Sequence, residues 1–65
     1  MKLKELRVAK GMTQRDVADA VHVTKAAVCM WETGARTPGL SVLIMLSDLF
    51  EVSLDTMLGR IPPGV

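Results

Sequence analysis

Sixty-five residues can form one small domain around one core, and a hydrophobic content of 49% is enough to fill it. Aromatics are only 3% of the chain, Trp31 and Phe50, so that core is expected to be aliphatic. A net charge of +1 neither demands nor excludes a nucleic-acid partner, and the distribution is more telling: Lys2, Lys4, Arg7, Lys10, Arg15 and Lys25 lie early, Asp48, Glu51 and Asp55 late.

In chain order, residues 2–10 place Leu3, Leu6 and Val8 on a helical period, with Lys10-Gly11 as a basic last turn and a C′ glycine. Thr13-Gln-Arg-Asp16 reads as an N-cap followed by an acidic N3 residue, an imperfect capping box that opens a helix from Gln14 to Ala20. Thr24 caps a third helix, with Ala27, Val28 and Trp31 facing inward and Gly34 closing it. Ala35 to Gly39 is a loop because Pro38 keeps its predecessor extended. Leu40, Leu43, Ile44, Leu46 and Phe50 mark a longer fourth helix, and Ser53 caps a short fifth, Leu54 to Leu58. Ile61-Pro-Pro-Gly-Val65 cannot be helical. The expectation is an all-α fold: a complete domain over residues 1–60, with 61–65 as a short C-terminal tail and no separate ligand domain.

The second and third helices carry a further pattern. A helix-turn-helix needs a small residue inside its first helix, a tight turn, then apolar anchors on the second that leave its other face free. Val17, Ala18, Val21, His22, Val23, Val28 and Trp31 stand at those spacings. Ala18 sits where a larger side chain would force the two helices apart.

With Leu3-Lys-Glu-Leu-Arg7, Gly11-Met-Thr-Gln14, Val17-Ala18, Val23-Thr24, Val28, Trp31-Glu32, Gly34, Pro38, Leu43 and Val52-Ser-Leu-Asp-Thr-Met-Leu-Gly59, the chain resembles the Cro and cI phage repressors and Xre-type regulators. The resemblance covers about residues 3 to 59. It implies a compact, five-helix, lambda-repressor-like DNA-binding domain that regulates transcription, as a repressor in the first instance. It also implies a homodimer on a palindromic operator of double-stranded DNA.

The same resemblance suggests roles for individual residues. Gln14 matches a phosphate contact at a helix N-terminus, against the alternative of a polar first-turn residue in solvent, and Arg36 is a second phosphate candidate against a solvated loop charge. Thr24, Lys25, Ala26 and Met30 match positions that face base edges. Lys25 can reach guanine O6 or N7, while Ala26 and Met30 suit thymine methyls; Met30 has the equal alternative of tucking against helix 1. Arg7 and Glu32 match a structural ion pair. His22 occupies a turn position where relatives usually carry glycine, so a strained positive φ is expected there.

Val42, Met45 and Leu49 are spaced as a stripe on the fourth helix, extended by Leu54 and Met57 on the fifth. Two readings stand: a dimer interface, or a broader core covered by the tail. No carboxylate pair, Ser-His-Asp set, phosphate-cradling glycine loop or metal spacing occurs, so neither enzymatic chemistry nor a cofactor or metal is expected. The rival function is a protein-interaction adaptor or antitoxin-like module on the same fold. The lone Cys29 excludes an internal disulfide and is expected as a small buried or semi-buried residue rather than a redox sensor. No apolar leader or spanning run is seen, so a cytoplasmic location without membrane contact is expected.

Overall fold

The computed structural model describes residues 1–59, which form five helices: α1 Leu3–Ala9, α2 Gln14–Ala20, α3 Lys25–Thr33, α4 Leu40–Phe50 and α5 Leu54–Met57. The expected all-α architecture is present, with boundaries within a residue or so of those read from the caps. The expectation for residues 61–65 lies outside the described residues. Helices of 4 to 11 residues are too short to persist alone, so tertiary packing must hold them.

That packing uses Leu3, Val17, Ala18, Val21, Val28, Trp31, Leu43, Leu46 and Met57, each at most 8% exposed. Eight of the nine are non-aromatic, as the composition required. α2 packs against α3 most extensively, α4 against α5, and α1 against α3. The two ends of the domain are joined where the Lys2 N–H donates to the Met57 carbonyl at 2.8 Å.

Local hydrogen bonds define each helix end. At the start of α2 the capping box is complete despite its short acid: the Asp16 N–H donates to Thr13 Oγ1 at 3.0 Å and the Thr13 N–H to Asp16 Oδ2 at 2.9 Å. Thr24 Oγ1 accepts from the Ala27 N–H at 3.1 Å, and Ser53 Oγ from the Thr56 N–H at 3.1 Å.

α2 ends in a Schellman turn. The Val23 N–H returns to the Ala18 carbonyl and the His22 N–H to that of Asp19, which puts His22 at φ 60. The strained turn read from His22 is therefore observed. Glu51, at φ 55, ends α4 in the same left-handed conformation, and its neighbour Val52 donates back to Ser47. Nothing in the residue type announced that second case.

Three inward assignments need correction. Val8 is 59% exposed, because α1 lays Leu3 and Leu6 on the core and turns position 8 away. Leu40 is 66% and Ile44 45% exposed, since α4 aims Leu43, Leu46 and Ser47 inward, and Ile44, one residue and about 100° round from Leu43, and Leu40, in the first turn, fall on the flank of that face.

Candidate nucleic-acid interface

The α2–turn–α3 unit presents a continuous outer face. Val28 and Trp31 anchor α3 to the core while Lys25, Ala26, Cys29 and Thr33 are exposed and Met30 is half-buried at the edge. Ala18, 2% exposed, lies in the buried layer formed where α2 packs on α3, as its size required. Thr24, at the N-cap, spends one oxygen lone pair on α3 and keeps its exposed hydroxyl available as a donor. Lys25 starts a line at spacing four that runs through Cys29 to Thr33. That line was available from the period alone, yet Cys29 and Thr33 were not among the expected contact residues. The Thr33 hydroxyl already donates to the Met30 carbonyl at 3.2 Å, and Cys29 is exposed, not buried, because it shares the outward face of Lys25.

An open cleft borders this face, lined by Arg7, Gly11, Met12, Thr13, Gln14, Arg15 and Lys25. Among the described residues, neither Arg15 nor Lys25 takes part in a salt bridge, and the Gln14 and Arg15 backbone N–H groups have no acceptor. Free donors and uncommitted cations at a helix start suit an anion. Arg15 is a member of this cleft that the residue-by-residue expectations did not include. At the opposite, C-terminal end of α3, the Arg36 N–H donates to the Met30 carbonyl at 3.2 Å, which ties the loop to the helix while the Arg36 side chain stays exposed.

Behind the cleft stands the expected ion pair. Arg7 Nε donates to Glu32 Oε2 at 2.7 Å and Arg7 Nη2 to Glu32 Oε1 at 3.2 Å, with the two side chains 13% and 5% exposed. Arg7 Nη1 also donates to the Met12 carbonyl at 2.9 Å, so one guanidinium joins α1, the α1–α2 turn and α3. Gln14 adds a third donor, its Nε2 lying 3.1 Å from Glu32 Oε1. Gln14 is thus half-buried and anchored, not a residue loose in solvent. Burial pushes the Glu32 carboxyl up, but the hydrogen bonds from Arg7 and Gln14, with the charges of Arg7 and Lys4, outweigh it and hold its pKa below the usual 4.5. The bond to Glu32, together with its charge, moves Arg7 the opposite way, to a higher pKa, against a smaller desolvation effect. The Thr13 backbone N–H and side chain likewise lower Asp16.

Of the residues expected at an apolar interface, Met45 alone is substantially exposed, at 36%. Val42, Leu49 and Leu54 are half-buried against the core. Met57 is 0% exposed and must be withdrawn from that list, because α5 folds onto α4 and turns it into the chain's own core. The outer flank of α4 instead offers Leu40, Ile44 and Met45. Among the described residues there is no cluster of three or more potential metal ligands, and no helix is long and apolar enough to cross a membrane.

The helix-turn-helix family model matches residues 3–57. The chain is 39% identical over 59 residues to the HTH-type transcriptional regulator AnsR of Bacillus subtilis, which covers 91% of this chain and 51% of that protein. It is 35% identical over 57 residues to the HTH-type transcriptional activator BcrR of Enterococcus faecalis, covering 88% of this chain and 28% of that protein. It is 31% identical over 64 residues to the cryptic phage CTXphi transcriptional repressor RstR of Vibrio cholerae, covering 92% and 57% respectively. The chain therefore spans between about a quarter and a little over half of these relatives. No solved structure matches it.

Proposed function

The chain belongs to the helix-turn-helix family of the Cro/cI phage repressors and Xre-type regulators, and from that membership we propose that it binds double-stranded DNA as a regulator of transcription. α3 enters the major groove while Gln14, at the start of α2, and Arg36, after α3, contact phosphates on either side. The observation that carries the reading is the outward face of α3, presented between an anion-suited cleft and an exposed arginine. Lys25 supplies polar discrimination, Thr24 a hydroxyl, and Ala26 and Met30 apolar contact with thymine methyls.

Repression through a palindromic operator, with one subunit on each half-site, is the mode this reading favours. Its support is the α4 flank of Leu40, Ile44 and Met45, whose exposed apolar surface is costly unless covered, with Val42, Leu49 and Leu54 at its margin. Two subunits also double the phosphate contacts available to a chain of net charge +1. An activator is named among the relatives beside a repressor, so the relatives do not share one sign of regulation. The adaptor reading draws on one observation, the paucity of hydrogen-bonding side chains on the outer face of α3, at Ala26 and Cys29.

The test is Lys25→Ala at fixed salt on a duplex selected for binding. Base preference should relax at the guanine that Lys25 meets, with a loss of about 1–3 kcal/mol there. Unchanged preference at every position would remove Lys25 from the readout.

A further inference from the structure

We propose that Glu32 is a positioning residue for DNA contact: it holds the Gln14 amide so that one N–H remains for a phosphate. This rests on the reading of Gln14 as a phosphate contact. Gln14 Nε2 lies 3.1 Å from Glu32 Oε1, and the Glu32 side chain, 5% exposed, is itself held by two N–H groups of Arg7. An ionised carboxylate accepts and cannot donate, so the amide must turn its NH2 toward Glu32 and its oxygen elsewhere. A phosphate also only accepts. The two N–H groups of one side chain are therefore divided, the first on Glu32 and the second unused by any other side-chain or backbone acceptor among the described residues.

Two physical effects compete at this point. The Glu32 charge repels a phosphate, whereas a glutamine immobilised on folding loses less rotamer freedom when it binds. Arg7, at 2.7 Å and itself lining the cleft, neutralises the carboxylate, so the repulsion is reduced while the immobilisation stays. Three elements converge: Arg7 from α1, Glu32 from α3, and Gln14 as the first residue of α2. The ion pair then has a role beyond joining helices, since it fixes a donor on the binding face. Arginine alone would satisfy Glu32 without ordering Gln14.

A double-mutant cycle between Gln14→Ala and Glu32→Gln tests this, read as affinity for a random-sequence duplex at low salt, with circular dichroism confirming that each variant is folded. Glu32→Asp serves as a second variant, keeping the charge for Arg7 while withdrawing it from Gln14. Gln14→Ala is expected to weaken binding roughly tenfold in the parent chain, the scale of one charge-assisted hydrogen bond, and less than about twofold in either Glu32 background. The Gln14 side-chain amide signals should move in both Glu32 variants, which a role confined to fold stability would not require. Equal losses from Gln14→Ala in all backgrounds, or amide signals in the parent chain at free-glutamine positions, would overturn the positioning role. If the parent chain bound no duplex, the DNA-binding reading would fall and this role with it; duplex binding with an additive cycle removes Glu32 alone.

Discussion

Individual side chains here do several jobs at once, and the Arg7–Glu32 pair shows it best. Breaking a mostly buried pair leaves a charge without its partner, so Arg7→Met is expected to cost about 3 kcal/mol, toward the low end because 13% of the arginine side chain stays exposed. Urea unfolding measures it. Because the Glu32 carboxyl titrates lower in the folded chain than in the unfolded one, its contribution is present above about pH 4.5 and is lost as pH falls through the depressed folded value. Stability should therefore decline on acidification below that point, and Glu32→Gln should flatten the decline; an equal slope in both proteins would assign it to other carboxylates such as Asp16. His22 offers the converse test. At φ 60 it bears the cost of the left-handed region, and His22→Gly should raise stability by about 0.5–1 kcal/mol, glycine's greater unfolded freedom taking back part of the gain. Both the pair and the strain were legible in the chain through its resemblance to a family. Gln14's bond to the same carboxylate was not, because residues 18 apart meet only once three helices have packed.

Helices were readable to the extent that their signals are local. Caps at Thr13, Thr24 and Ser53 act within three residues, and each forms the bond its type promises. Which flank of α4 faces inward is not local: with apolar residues at Leu40, Val42, Leu43, Ile44, Met45, Leu46 and Leu49, periodicity leaves more than one buried face possible. Contact with α5 decides, burying Leu43, Leu46 and Met57 and turning Leu40 and Ile44 out. Similarly, Cys29 looked like a small core residue by type, but its distance of four from Lys25 put it on the outer face of α3. The α2–α3 junction yields a sharper expectation. Ala18→Leu must push side-chain volume into a space that is 2% exposed, costing about 1–3 kcal/mol, and it should displace α3 and weaken duplex binding beyond what the stability loss explains. Binding measured where the variant is fully folded separates the two; unimpaired binding would mean that α3 keeps its place without the small residue.

At the scale of the whole molecule, charge and apolar surface divide the labour. The cleft with Arg15 and Lys25 lies at the start of α2, and the exposed hydrophobics Leu40, Ile44 and Met45 belong to α4. Under the homodimer reading, Ile44→Glu, at a site already 45% exposed, should shift the chain to monomer in light scattering, with little change in unfolding free energy when both proteins are compared at a dilution where they are monomeric. A parent chain that is monomeric at the same concentration would leave that flank to another partner. Association with DNA should weaken as salt rises, with a shallow slope if few cations touch phosphate. These properties all serve one claim, that the α2–turn–α3 face reads a specific sequence, and selection from a random duplex library tests it most directly. Enrichment of a two-fold symmetric motif whose half-sites lie about one helical turn apart is expected. Recovery of no motif, with only weak and salt-sensitive binding to every duplex, would contradict it.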